Sequence, residues 1–265
     1  MYKLSILIPT YNYAEGLKRI INEIPRSEVG KNIEVIIFDN STDENVAEFV
    51  RGLDICVNYK RTKLVGNPCV NWNDLLSNAK GEYSMLLHHD EFLPNESSWN
   101  QLLEALSTGE CVYLTNLILT DSSNTEFRHM PNFIRNRLII KDPDYLIRRN
   151  FVGPCGCFIF KTSLKIRFDS RLIWLVDVDF YIRLLNKATN LVLIESVSVS
   201  SYQRKQGSIT NSLASNVKKI TNSEISLLKN EAVYANNRWI KPKLFTREIE
   251  SFIWNTYRFI FKFMR

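Results

Sequence analysis

The sequence predicts an α/β fold built on a mostly parallel central sheet flanked by helices. Two observations carry this. Lys3–Pro9, Ile33–Asp39, Ile55–Tyr59, Tyr83–His88 and Cys111–Leu119 are short apolar runs with the length of buried strands. Between them, Gly16–Ile24, Asp43–Gly52, Val70–Ala79 and Ser97–Ser107 repeat their apolar residues at helical spacing. Strands apolar throughout and separated by helices are those of a parallel sheet covered on both faces.

Each element has local signals. Gly52 and Gly81 stand where helices end, and Ser97 is placed to cap one. Further on, Asp142-Pro143 opens a helix expected to reach Asn150, and Gly156–Phe160 reads as a strand. A strong helical pattern follows from Asp177 to Ala188, then a strand over Leu191–Val199. After Ser208 the chain reads as helical and basic. We divide it into a domain over 1–210, in two parts (1–105 and 106–210), and a C-terminal helical extension over 211–265.

Composition narrows the function classes. Apolar residues make up 45% and charged residues 23% of the 265, which fits a globular protein rather than a disordered or coiled-coil one. No apolar run is long enough for a spanning helix, and Met1–Pro9 is too short for a signal peptide, so a cytoplasmic protein is expected. Its five cysteines are scattered, which suits reduced thiols. The net charge of +6 lies wholly in the extension, since residues 211–265 hold ten Lys/Arg and four Glu.

In open parallel sheets, ligands sit beyond the C-terminal strand ends. Here those ends read Pro9-Thr10-Tyr11-Asn12, Asp39-Asn40-Ser41 and His88-His89-Asp90-Glu91. No Gly-x-Gly-x-x-Gly or Walker loop is present to cradle a phosphate. A diphosphate could instead be met by a divalent cation on Asp90 and Glu91; an ordinary acidic turn before Pro94 is the alternative. Asp39 could accept from the imide N–H of a base, or simply form an Asx turn. Asp177 has no opposite charge at i+3 or i+4 and begins a helix, so it is either a cap or an ionised carboxylate able to take a proton. Asp179 has Arg183 four residues on, which a surface ion pair explains.

In this order and spacing the segments resemble the inverting GT-A glycosyltransferases of family 2, over about the first 210 residues. The resemblance rests on Ser5–Asn12, Ile36–Asp43, Gly66-Asn67, Asn71-Trp72-Asn73, Ala79–Tyr83, Leu86–Pro94, Phe168-Asp169 and Asp177–Arg183. It implies a GT-A catalytic domain over 1–210, with 1–105 holding the nucleotide and 106–210 the acceptor, and with Pro9, Thr10, Tyr11, Asn12, Asp39, Asn67, Asn71, His89, Asp90 and Arg204 binding a nucleotide sugar. Asp90 and Glu91 would hold Mn²⁺ or Mg²⁺, and Asp177 would be the general base. It further implies a UDP- or dTDP-sugar donor and a saccharide acceptor, such as a polyprenyl-diphosphate-linked oligosaccharide of O-antigen or capsule type. The sequence departs from the family pattern at His89, Glu91, Val176 and Gln206.

Two other readings are open. A nucleotidyltransferase shares the sheet and carboxylates but needs a Gly- and Lys/Arg-rich loop that Pro9–Gly16 lacks. A non-catalytic sugar-nucleotide-binding module would keep the pocket without the chemistry. Residues 246–265 combine Ile249, Phe252, Ile253, Ile260 and Phe263 at helical spacing with Arg247, Arg258, Lys262 and Arg265. Such a helix suits an anionic membrane surface or packing on protein. Nucleic acid is not expected, because large apolar groups interrupt the cations.

Overall fold

The computed structural model describes residues 1–62, 68–120, 126–128, 135, 139, 143–148, 150–202, 215–229 and 231. Among these, a nine-stranded sheet has the order β3-β2-β1-β4-β8-β6-β9-β5, with β7 paired to β6. The first half alternates β1 (Leu4–Thr10), α1 (Ala14–Glu23), β2 (Ile33–Asp39), α2 (Asn45–Arg51), β3 (Asn58–Arg61), α3 (Pro68–Asn78) and β4 (Tyr83–Leu86). All four strands are parallel. β1, β2 and β4 are buried at every residue, which accounts for their unbroken apolar character. α1 turns Leu17, Ile20 and Ile21 onto the sheet, and Trp99 and Leu102 do the same from α4 (Glu96–Ala105).

Gly81 admits β4 to its place beside β1. A Cβ there would stand 2.6 Å from the Ser5 backbone nitrogen and 2.8 Å from the Leu4 carbonyl carbon, closer than packed atoms allow. Beneath it, Ser5 Oγ accepts from the Gly81 N–H and donates to Glu34, whose carboxylate also accepts from the Lys80 N–H. A small polar network thereby seals the entrance to β4.

The second half mixes directions. β5 (Glu91–Phe92), β6 (Val112–Thr120), β7 (Glu126–Arg128), β8 (Phe158–Lys161) and β9 (Leu191–Tyr202) alternate with α4, α5 (Val176–Lys187) and α6 (Val217–Leu228). β8 inserts antiparallel between β4 and β6, and β5 lies antiparallel on β9. β6 and β9 are parallel, with a bulge after Thr115. β1–β4, β6 and β9 thus run one way and β5, β7 and β8 the other. The mostly parallel expectation holds, but β8 breaks its regularity: a buried apolar run carries no direction in its sequence.

Several boundaries differ from the sequence reading. The third strand falls on Asn58–Arg61 rather than Ile55–Tyr59. It is a sheet edge with one neighbour, so it tolerates polar residues, while Ile55 and Val57 pack against the core on the approach. α4 is capped by Asn95, whose side chain accepts from the Ser98 N–H, and not by Ser97. The expected helix after Asp142 is a short 3₁₀ turn over Pro143–Ile147, and Cys155–Cys157 is a second 3₁₀ turn ahead of β8. In the extension α6 packs back on the domain with Leu228 fully buried; the other residues of 211–265 except 215–216, 229 and 231 lie outside the described residues.

Candidate active site

Strand register brings three of the predicted loops to one edge. Thr10 at the end of β1 pairs with Asp39 at the end of β2, while Leu7 pairs with Leu86 of β4. The Leu87 N–H extends that ladder to the Leu7 carbonyl, so His88–Glu91 emerges beside Pro9–Asn12.

Asp39 is fully buried. One oxygen accepts from the Ser41 N–H at 2.7 Å and the other from the Tyr59 hydroxyl at 2.8 Å. Burial, and then the Asp39 carboxylate, push the Tyr59 phenol above its ordinary range, so it stays a donor. The first of these bonds is the expected Asx turn, and a carboxylate with two bonds retains lone pairs for a third. Asn12 joins the two loops: its N–H donates to Ser41 Oγ, and its side-chain oxygen accepts from the Thr42 N–H, both at 2.8 Å. It does so in a left-handed conformation (φ 49°), which asparagine tolerates better than most residues. Tyr11 beside it is exposed.

Two buried polar atoms along this edge, Thr10 Oγ1 and His88 Nε2, lack a hydrogen-bond partner, as does Asn71 Oδ1 on α3. A buried polar atom without a partner is costly, so such atoms gathered at one edge mark where a polar ligand completes the structure.

The β4 loop divides its acids between two jobs. Glu91 turns inward, almost fully buried, and accepts from the Gly156 N–H at 2.8 Å. Its other oxygen lies 2.6 Å from His88 Nδ1. Gly156 is required there, because a Cβ would stand 2.5 Å from Glu91 Oε2 and 2.6 Å from Leu87. Burial by itself would push the His88 imidazole down, but Glu91, helped by Asp177 and Asp90, overrides it and holds the group at about 9. Trp72 meets the His88 ring edge-on at 4.9 Å and Phe168 at 5.0 Å, walling the imidazole on one side. His89 instead packs edge-on against Tyr13, at 5.2 Å.

Asp177 sits in the first turn of α5, half-buried, and Oδ1 accepts from the Cys155 thiol at 3.4 Å. Burial raises its carboxyl above the ordinary range and Asp90 adds to that, against the pull of His88 and the thiol. His88, Asp90 and Asp177 are therefore close enough to sense one another's charge. A carboxyl raised in this way is, once ionised, a stronger base than a solvated one.

The donor set does not fit a divalent ion held by protein alone. Both Glu91 oxygens are committed, one to the Gly156 N–H and the other to His88 Nδ1. That leaves Asp90, and Mg²⁺ is commonly held by one or two carboxylates together with waters and the phosphates of a substrate. Among the described residues no group of three or more His, Cys, Asp or Glu is placed to hold a metal ion.

Pro9, Thr10, Tyr11, Asn12, Asp39, His89 and Asp90 thus lie along one edge, and Asp177 joins them electrostatically through His88 and Asp90. Asn67, Arg204 and Gln206 lie outside the described residues. Asp179 is no surface residue: it is fully buried and chelated by Arg183 Nε at 2.9 Å to both oxygens. A pair at i,i+4 spacing carries no record of burial in the sequence. His88, Tyr59 and Cys155 were not singled out by sequence. Only His88 gave a signal, as a polar residue directly after a buried strand.

The family comparison decides the assignment: the model of glycosyl transferase family 2 matches residues 5–166. The chain belongs to that family. The family 2 match takes in the β1, β2 and β4 edges and ends before Asp177. The chain is 26% identical over 179 residues to abequosyltransferase RfbV of Salmonella typhimurium, covering 62% of this chain and 52% of that one. It is 24% identical over 173 residues to a GalNAc(5)-diNAcBac-PP-undecaprenol beta-1,3-glucosyltransferase of Campylobacter jejuni, covering 62% and 53%. It spans about half the length of these two relatives, and 18% of the length of the poly(ribitol-phosphate) beta-N-acetylglucosaminyltransferase TarS of Staphylococcus aureus. The fold matches the structure of S. aureus TarS 1-349 in complex with UDP-GlcNAc, with a TM-score of 0.62 at 18% identity, over 78% of this chain and 60% of that one. The GT-A architecture is therefore that of family 2. Among the described residues no helix is long and apolar enough to cross a membrane.

Proposed function

We propose that this protein is an inverting glycosyltransferase that moves one sugar from a UDP- or dTDP-sugar to a hydroxyl of a saccharide acceptor. The acceptor we favour is a lipid-linked oligosaccharide of O-antigen or capsule type; the name of the Campylobacter jejuni relative carries a PP-undecaprenol-linked saccharide. The observation that carries this reading is the convergence of Asp39, Asp90 and His88, whose Nε2 has no partner, at one edge of the sheet, with Asp177 at the start of α5 within electrostatic reach of His88 and Asp90.

The chemistry follows from those groups. The acceptor oxygen attacks the anomeric carbon as its proton passes to Asp177. The bond from that carbon to the diphosphate oxygen breaks, and inversion results because attack and departure lie on opposite sides. The leaving diphosphate gains negative charge, and the His88 Nε2–H is a buried donor for it. Asp39 would accept from the base imide, with the exposed Tyr11 beside it as a surface on which a ring can stack. Asp90 would face the diphosphate and any cation that arrives with it.

A melting-temperature screen tests the donor assignment. UDP, dTDP and their sugars at about a hundred times Kd should each stabilise the protein by about 2.7 kcal/mol. Mn²⁺ alone should leave the melting temperature unchanged, since one open carboxylate is a weak site. Silence from every pyrimidine nucleotide would dismiss the reading, and a clear shift with Mn²⁺ alone would show a metal site that the described donors do not make.

The basic, apolar 246–265 stretch, outside the described residues, is our basis for proposing peripheral attachment to the inner face of the membrane. The full chain should float with anionic vesicles and remain behind with neutral ones. Failure to float with either would leave packing on protein.

A further inference from the structure

The start of α5 raises a question that its own sequence does not answer. The residue at its cap, Leu175, offers no side-chain acceptor, yet this turn leads within two residues to Asp177. The acceptor comes from α6. Glu224, almost fully buried, takes the Ile173 N–H at 2.6 Å and the Leu175 N–H at 2.8 Å. The Trp174 N–H is shared between its two oxygens, at 3.1 and 3.3 Å. A carboxylate receiving three consecutive backbone N–H groups at a helix N-terminus is strongly held, by charge-assisted hydrogen bonds and by the helix dipole.

α6 is itself anchored. Leu228 is buried in the core, and Ile225 and Leu227 pack against it. A second tie lies on the same side: Arg171 binds Asp169 and also reaches Glu231 at 2.6 Å. From the other direction, Asn73 of α3 accepts the Phe168 N–H and donates to the Phe168 carbonyl. Residues 168–175 are thus held from both ends, and Glu224 is the clamp nearest Asp177.

We infer that Glu224 is a positioning residue for catalysis: the C-terminal extension reaches back through it to fix the turn that presents Asp177 to the acceptor. The inference rests on Asp177 as the base. It means that α6, which lies beyond the family match of 5–166, belongs to the working active site. The chemistry demands such a clamp, because a displacement of about 1 Å in a catalytic group can cost on the order of a hundredfold in rate.

The test compares Glu224→Ala and Glu224→Gln with the wild type, using the UDP- or dTDP-sugar that the wild type turns over fastest. Glu224→Ala should lower kcat about 10- to 100-fold, with KM for the donor and Kd for UDP within about twofold of wild type, since the clamp touches neither. Glu224→Gln, which keeps one acceptor oxygen and the side-chain volume, should recover part of the loss and carries the test if the alanine variant does not fold. In an Asp177→Asn background the Glu224 substitution should cost nothing further, because two residues acting through one group are not additive. A variant that melts well above the assay temperature and keeps wild-type kcat overturns the inference, as does an equal loss in both backgrounds. Amide exchange at 173–175 separates the two readings: slow exchange in the wild type and fast exchange in Glu224→Ala establish the clamp even if Asp177→Asn retains full turnover.

Discussion

Replacing Asp177 by Asn should lower kcat by about a hundred- to ten-thousand-fold, the span general-base catalysis supplies. Asn has nearly the same shape, so the position beside Cys155 remains filled, and UDP should bind within about twofold of wild type. What disappears is the capacity to take a proton. The wild-type pH profile offers an independent check. The base must be ionised, and burial raises the Asp177 carboxyl, so activity should fall on the acid side at a pH above that of an ordinary carboxylate. The acid limb should vanish from the residual activity of Asp177→Asn. Turnover by that variant close to wild type would remove Asp177 from the mechanism and favour a role as a helix-start acid.

Glu91→Ala should be the most damaging single change to stability. It strips the partner from a buried imidazole and leaves the Gly156 N–H without an acceptor. Breaking a buried ion pair from one side costs about 3–5 kcal/mol, and the lower figure corresponds to a fall in Tm of roughly 6–12 °C for a chain of this size. Glu91→Gln should cost less, because its amide oxygen still accepts from Gly156. The pair also sets a pH signature. His88 is raised on folding from its ordinary 6.5 to about 9, so its contribution is fully present below about 6.5 and is lost as pH rises through about 9. Wild-type Tm should therefore decline across that window relative to Glu91→Ala. Parallel profiles for the two proteins would show that the pair contributes nothing. Were Glu91 a metal ligand instead, its loss would appear first in the Mn²⁺ dependence of turnover and little in Tm.

The parts of this protein that were legible in the sequence are those governed by neighbouring residues. Apolar runs of strand length and helical spacing located β1, β2, β4, α1 and α5, and the polar residues ending those runs located Asp39, Asp90 and Asp177. Local signals suffice there because a strand end, a turn and a first helical turn each span only a few residues. The edge they form was implied by the parallel order alone, since parallel strands carry their C-terminal ends to one side.

Only the tertiary structure decided which way each polar group faces. Adjacent acids in sequence, Asp90 and Glu91, take opposite roles because Glu91 meets the N–H of Gly156, 65 residues away. Asp177 acquires Cys155 across 22 residues, and its helix acquires a cap from Glu224 across 49. The reversed β8 that carries the Cys155–Cys157 turn to this edge is likewise a matter of pairing between distant segments. The sequence by itself determined the elements and the chemical groups at their ends. Contacts between remote segments determined burial, proton affinity and orientation, because these depend on what lies across a few ångströms of space and not along the chain.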